Sequence, residues 1–219
     1  PIKQEFALEQ PGIKAYLKAM RLHQWLKNLL VFIPVLAAHR FMEAGYALHA
    51  FLAFLAYGLC ASSIYILNDL LDLPFDRSHP RKKARPFASG ALPLLHGALL
   101  VPLLLLTAAG ISLLLLPLFA LVLGAYVLTT VAYSIWLKNR VIVDVIVLAA
   151  LYTFRIIAGG AATGIIPSFW LLAFSMFMFL SLAMVKRYAE MLVVFKEHKE
   201  GSAGRDYLVS DSLLLVTMG

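Results

Sequence analysis

Long uncharged stretches alternate with short charged segments along this chain. Residues 44–67 carry no formal charge over 24 positions, and residues 91–137 carry none over 47 positions. Because a helix needs roughly 20 apolar residues to cross the hydrocarbon core, the longer stretch predicts two crossings. Gly110 and Pro117 mark the turn that we expect between them. The pattern therefore predicts an all-α fold, a polytopic transmembrane helical bundle.

Six complete spans are predicted from these stretches and from the ones that flank them. The first span ends near Ala38, and a kink is expected at Pro34, where proline removes a backbone donor. The fifth and sixth spans are predicted over about 141–162 and 167–185. The apolar stretch 212–219 is too short to cross a bilayer, so we expect it to begin a truncated seventh helix.

Composition supports a membrane protein with a short polar lead-in. The chain is 62% apolar and 14% charged, and a soluble fold could not bury that much apolar surface. Residues 12–27 mix basic and apolar side chains at helical spacing, and we therefore expect residues 1–27 to form a cytoplasmic amphipathic lead-in. Residues 28–219 are expected to form the transmembrane domain, truncated at its carboxyl end. The single cysteine, Cys60, excludes a disulfide framework within this chain.

The positive charges are distributed unevenly among the loops. Of the 19 Lys and Arg residues, five precede Asn28, five lie in 69–91, two in 138–140 and five in 186–205. The loops on the opposite side hold only Arg40. The positive-inside rule therefore predicts that the amino terminus and the charged loops face the cytoplasm. Because these charges belong to loops beside anionic lipids, no nucleic-acid partner is expected.

Carboxylates and basic residues adjoin each other after the second span. Asp69, Asp72 and Asp76 stand at i, i+3 and i+7, which on a continuous helix places them within one face, whereas a helix that ends at Pro74 would separate them. Crowded carboxylates repel one another unless a cation lies between them, and hard oxygen ligands suit Mg²⁺. The basic residues that could complete a diphosphate clamp are Arg77, Arg81, Lys82, Lys83 and Arg85. A solvated loop with local ion pairs is the alternative interpretation.

Charged residues in the later spans are further candidates. Asp144 and Arg155 are eleven residues apart, which places them on one helix face at different depths. A charge inside a span is costly, so Arg155 is expected to face a ligand, with a structural ion pair as the alternative. Lys27, Lys186 and Arg187 are candidates as well, and interfacial anchoring explains their positions equally well.

One motif resembles that of a known superfamily. The string Asn68-Asp-x-x-Asp72-x-x-x-Asp76 at the end of the second span resembles the first aspartate-rich motif of the UbiA-type intramembrane prenyltransferase superfamily. Further strings are similar to its decaprenyl-phosphate phosphoribosyltransferase-like branch, namely Gln24-Trp-Leu-Lys27-Asn28, His79-Pro80, Lys82, Arg85-Pro86, Ser89-Gly90 and Tyr133-Ser-x-x-Leu-Lys138 with Asp144. The resemblance implies a helical bundle around a central cavity, with cytoplasmic-side loops that cap a Mg²⁺-bound diphosphate.

The resemblance also implies roles for individual residues. The residues expected to act in catalysis are Asp72, Asp76 and Asp144. The implied Mg²⁺ ligands are Asp69, Asp72 and Asp76. The implied substrate-binding residues are Lys27, Asn68, Lys82, Lys83, Arg85, Tyr133, Lys138, Arg155, Lys186 and Arg187.

Two donors are compatible with this superfamily. Its aromatic prenyltransferases usually show a second Asp-x-x-x-Asp, whereas Asp144 has Arg140 and Leu148 four residues to either side. This departure favours phosphoribosyl transfer from 5-phosphoribosyl 1-diphosphate to a polyprenyl phosphate. Transfer of a polyprenyl group from its diphosphate to an aromatic acceptor is the alternative.

A membrane transporter is the candidate from a different class. It gives no reason for carboxylates and basic residues to share one cytoplasmic loop. The expected partners are therefore a polyprenyl lipid substrate, a diphosphate-bearing donor and membrane lipids. The expected location is a bacterial inner (plasma) membrane, and the oligomeric state is not predicted.

Overall fold

A computed structural model describes residues 12–137 and 141–196. Every regular element in these ranges is helical. The α-helices there are α1 (Ile13–Met20), α2 (Ile33–Ala37), α3 (Ala44–Leu71), α4 (Leu73–Ser78), α5 (Leu94–Ser112), α6 (Pro117–Ile135), α7 (Val141–Thr163) and α8 (Phe169–Lys196). Shorter 3₁₀ helices cover Leu22–Phe32 and Lys82–Ala84. The prediction of an all-helical membrane fold is confirmed.

Five helices of the described residues are long and apolar enough to cross a membrane: α3, α5, α6, α7 and α8. The first predicted span is instead a shorter apolar helix, Leu22–Ala37. Most of it is 3₁₀ helix, which rises about 2.0 Å per residue and so needs fewer residues than an α-helix for a given length. The predicted seventh helix lies outside the described residues.

Two prolines lie at helix starts in the structure. Pro34 lies in the first turn of α2, a position that tolerates proline, and this is where the 3₁₀ helix gives way to an α-helix. The kink expected at Pro34 stays a prediction. Pro117 begins α6, as expected for the turn after α5. Gly110, the other predicted turn residue, instead lies inside α5.

The helices form two compact units. The first combines the described part of Pro1–Leu26 with Gly58–Thr107. Its core contains Ala19, Ile66, Phe87, Leu92 and Leu104. The Trp25 indole donates to Ser62 Oγ (3.0 Å), and a Cβ on Gly58 would lie 2.7 Å from the Trp25 ring. A glycine is therefore needed where the indole packs on α3.

The second unit combines Lys27–Tyr57 with the described part of Ala108–Gly219. In it α7 packs against α6 and α8, and α2 packs against α7. A Cβ on Gly159 of α7 would lie only 1.9 Å from the Val31 carbonyl oxygen. Glycine therefore allows the backbone of the Leu22–Phe32 helix to contact α7, and that helix carries Asn28.

Candidate functional site

The aspartate-rich segment is divided between two helices. α3 ends at Leu71, Asp72 precedes the first turn of α4, and Pro74 lies within that turn. The three aspartates therefore do not lie on the one continuous helix for which their spacing was considered. The reason is that proline favours a new helix start.

Asp69 and Asp76, which we call the aspartate pair, nevertheless converge on one guanidinium group. Nη1 of Arg85 donates to Asp69 Oδ1 (3.2 Å) and to Asp76 Oδ2 (2.6 Å). Nη2 of Arg21 also donates to Asp69 Oδ1 (2.6 Å). The carboxylate side chains are 2% and 1% exposed, whereas those of Arg21 and Arg85 are 26% and 28% exposed. The two buried carboxylates thus contact arginine side chains that are more accessible to solvent.

The aspartate pair fits a hard cation. The Arg85 guanidinium already places positive charge between the two carboxylates. In the described part of the chain, the buried Oδ1 of Asp76 has no hydrogen-bond partner. Mg²⁺ commonly binds through one or two carboxylates and completes its shell with water and substrate phosphate. The pair therefore offers suitable ligands together with an oxygen that accepts no hydrogen bond from the described residues.

A three-carboxylate site is a different matter. The described residues contain no group of three or more His, Cys, Asp or Glu side chains that could hold a metal ion. Asp72 is half-buried at the junction of α3 and α4 and does not complete such a group with the aspartate pair. Its assignment as a third metal ligand stays a prediction.

Further basic side chains belong to the same unit. Lys82 Nζ lies 4.7 Å from the centroid of the Phe75 ring, and Lys83 is exposed. Lys18 Nζ donates to the Ala84 carbonyl (2.9 Å), which ties α1 to the basic loop. The half-buried Asn68 lies one residue before Asp69 on α3. This arrangement favours an anion beside a carboxylate-bound cation.

In the second unit, Asp144 forms a buried ion pair. Its carboxylate accepts hydrogen bonds from Arg187 Nε, from Arg187 Nη2 (3.0 Å) and from the Tyr133 hydroxyl (2.6 Å). Arg187 Nη1 also donates to Glu190 (2.5 Å). The Asp144 and Arg187 side chains are 0% and 3% exposed. The structure thus brings together three predicted site residues, in contacts with one another.

Arg155 has different surroundings. It is buried in α7, and its Nε donates to Asn28 Oδ1 (2.9 Å). Lys27 Nζ lies 5.8 Å from the ring of Tyr152, and the Arg155 guanidinium carbon lies 5.2 Å from the same ring. The two predicted substrate-binding cations therefore flank one aromatic side chain.

Two further basic residues, Lys186 and Lys138, were predicted to bind substrate. Lys186 is 61% exposed and lies 3.9 Å from Glu190. Lys138 lies outside the described residues.

Sequence reasoning missed Arg21, Asn28 and Glu190 as contacts of the site residues. Arg21 has a left-handed backbone (φ 51°), ends α1 and reaches Asp69, 48 positions along the chain. No local pattern signals such a contact. Asn28 directly follows Lys27 in the string Gln24-Trp-Leu-Lys27-Asn28, so its place in that motif could have identified it.

Comparisons with known proteins agree with this architecture. Residues 30–192 match the UbiA prenyltransferase family. The chain is 40% identical to the uncharacterized protein y4nM of Sinorhizobium fredii over 91% of its own length and 39% of that relative. It is 37% identical to a decaprenyl-phosphate phosphoribosyltransferase of Mycolicibacterium smegmatis over 82% of its length and 58% of that relative. The chain thus spans less than two thirds of either relative.

A solved structure shows the same fold. It is that of a UbiA homologue from Archaeoglobus fulgidus bound to DMAPP and Mg²⁺. The alignment has a TM-score of 0.72 with 18% identity and covers 93% of this chain and 73% of the other.

Proposed function

This chain belongs to the UbiA prenyltransferase family, and from that membership we propose that it is a Mg²⁺-dependent membrane transferase. The proposed reaction moves a phosphoribosyl group from 5-phosphoribosyl 1-diphosphate to a polyprenyl phosphate. The similarity to a decaprenyl-phosphate phosphoribosyltransferase supports this choice of substrates. The Mg²⁺-bound homologue of the same fold supports the choice of cofactor.

The aspartate pair is the observation that carries the proposal. Asp69 and Asp76 would hold Mg²⁺, with Asp72 and Asn68 assisting, and Arg85, Lys82 and Lys83 would bind the donor's diphosphate. Bound Mg²⁺ would supply positive charge that stabilises the diphosphate as it leaves. The acceptor's phosphate oxygen would form the new bond to the anomeric carbon while the bond to diphosphate breaks.

The second unit favours the phosphoribosyl donor over a prenyl diphosphate. Asp144 has no second aspartate four residues away, and its carboxylate accepts hydrogen bonds from Tyr133 and Arg187. A phosphoribosyl donor carries phosphate at both ends and so needs basic residues in more than one place. The residues proposed for the additional phosphates are Lys27, Tyr133, Lys138, Arg155, Lys186 and Arg187.

The donor assay uses the full-length protein in lipid nanodiscs with Mg²⁺ and decaprenyl phosphate. Labelled 5-phosphoribosyl 1-diphosphate is expected to give a lipid-linked phosphoribose that is absent when EDTA is added. In a parallel reaction, a labelled polyprenyl diphosphate is offered with an aromatic acceptor. Prenylation of the aromatic compound without any lipid-linked phosphoribose would replace this proposal with the alternative reaction.

We also propose that the aspartate-rich loop faces the cytoplasm of a bacterial inner membrane, because the basic loops share one side. Single cysteines in a Cys60→Ala background test the orientation, since Ser78 and Met42 are both exposed and lie in loops of opposite predicted sides. An impermeant thiol reagent added to intact cells is expected to label Met42→Cys and to spare Ser78→Cys. The reverse labelling would show the opposite orientation.

A further inference from the structure

Arg155 carries a buried charge that no acidic side chain of the described residues balances. Its side chain lies in α7, 5% exposed, eleven residues or roughly 16 Å along the helix from Asp144. Among the residues that the structure describes, no carboxylate oxygen lies within 4.0 Å of its guanidinium group. The equally buried Arg187 differs, because it pairs with Asp144 and Glu190.

The groups that do contact Arg155 are neutral. Its Nε donates to Asn28 Oδ1 (2.9 Å), its Nη1 to the Leu151 carbonyl (2.5 Å) and its Nη2 weakly to the Tyr126 hydroxyl (3.5 Å). The rings of Tyr57, Tyr126 and Tyr152 lie 5.6, 5.5 and 5.2 Å from the guanidinium carbon. Such rings stabilise a cation without cancelling its charge. Arginine also cannot lose its proton to avoid burial as an ion.

Two further features point to an anion at this place. The Nδ2 amide of Asn28 is buried and has no hydrogen-bond partner within the described ranges, although the side chain is only 1% exposed. A buried donor of this kind costs free energy unless an acceptor reaches it. Lys27 adds a second positive charge on the ring of Tyr152. Unused donors and two neighbouring cations thus lie in one unit.

We infer that Arg155, Lys27 and Asn28 form a binding site for a phosphate monoester. A phosphate offers only acceptor oxygens and negative charge, which match a guanidinium, an ammonium and an amide N–H group. The group could be the phosphate of a polyprenyl phosphate or the 5-phosphate of a sugar. This inference rests on the proposed function for Lys27 and Arg155 and deepens it by adding Asn28 and the contacts of one site. Its test measures binding, so the outcome does not depend on turnover.

The variant Asn28→Asp tests whether Arg155 binds a ligand or has only a structural role. The new carboxylate has the size of the amide, and one of its oxygens would replace Asn28 Oδ1, which lies 2.9 Å from Arg155 Nε. The variant therefore supplies a counter-ion for Arg155 from within the protein. The melting temperature of the full-length protein in nanodiscs is measured with and without inorganic phosphate, ribose 5-phosphate or decaprenyl phosphate. Arg155→Gln is the second test variant, because it removes the positive charge. Arg40→Gln is the control, because it removes an exposed arginine that is already paired with Glu43.

The wild-type protein and Arg40→Gln are expected to gain stability with at least one probe. Asn28→Asp should melt no lower than wild type without a probe, and both it and Arg155→Gln should require at least about tenfold more probe for the same shift. A shift with decaprenyl phosphate alone identifies a lipid headgroup, and one with ribose 5-phosphate identifies a sugar phosphate.

Absence of any probe-induced shift in the wild-type protein would overturn the inference. An undiminished shift in Asn28→Asp or in Arg155→Gln would overturn it as well. If one of these variants does not fold, the other and the wild-type titration decide. A clear shift in a protein that fails the donor assay would leave this site intact and remove only the proposed reaction.

Discussion

Asp76→Asn is expected to lower the rate of Mg²⁺-dependent transfer about 100-fold or more, which corresponds to about 2.7 kcal/mol of transition-state stabilisation. Asp76 is 1% exposed, shares the Arg85 guanidinium with Asp69 and keeps one oxygen without a hydrogen-bond partner in the described ranges. Asparagine preserves the shape of the side chain but removes the negative charge that a cation requires. The protein should therefore remain inserted in the membrane.

Two measurements check this result. Turnover is followed at limiting Mg²⁺, and Mn²⁺ binding to the substrate-free protein is followed by electron paramagnetic resonance. Glu43→Gln removes an exposed carboxylate outside the aspartate pair and should change neither. Asp72→Asn tests separately whether the half-buried third aspartate is a ligand, and loss of turnover is the expected result. Near-normal turnover of Asp76→Asn would remove Asp76 from the metal site.

Asp144→Asn is expected to destabilise the protein by about 3 kcal/mol, because removing one partner leaves a buried charge without compensation. Arg187 would then keep Glu190, which is 42% exposed, as its remaining carboxylate among the described contacts. The double variant Asp144→Asn/Arg187→Met should recover much of this stability, since it removes the charge as well as its partner.

Thermal unfolding in nanodiscs measures the effect. Lys186→Gln is the matched control, because Lys186 adjoins Arg187 on α8 but is 61% exposed, and its loss should change stability little. If Asp144→Asn melted like wild type yet lost all transfer, Asp144 would act on the substrate directly, as its motif position predicts. A double variant less stable than Asp144→Asn would contradict the ion-pair explanation.

Most of the transmembrane helices could be predicted from local sequence. The uncharged stretch 44–67 became most of α3, and the predicted fifth span agrees with α7 to within one residue at its end. Span length and apolar composition suffice here, because each helix must satisfy its own backbone groups in hydrocarbon. The 3₁₀ form of the Leu22–Phe32 helix was not predicted, since hydropathy does not distinguish a 3₁₀ helix from an α-helix.

The candidate site was predicted in part. The aspartate-rich string pointed to Asp69, Asp76 and Arg85, which the structure brings together. The spacing placed the three aspartates on one face only if the helix continued past Pro74, and α3 instead ends at Leu71 and a second helix begins at Leu73. Helical spacing describes neighbours only while one helix continues.

By itself, the sequence determined which segments are long and apolar enough to enter a membrane and which charged residues are costly to bury there. Only the tertiary structure decided their partners: Arg187 is paired with Asp144 across 43 positions, whereas Arg155 contacts Asn28 across 127 positions and no acid of the described residues. The physical reason is that the first property depends on residues close together in sequence, whereas the second depends on residues far apart in sequence. Burial in lipid depends on the composition of one segment, but the balance of a buried charge depends on which helices pack side by side.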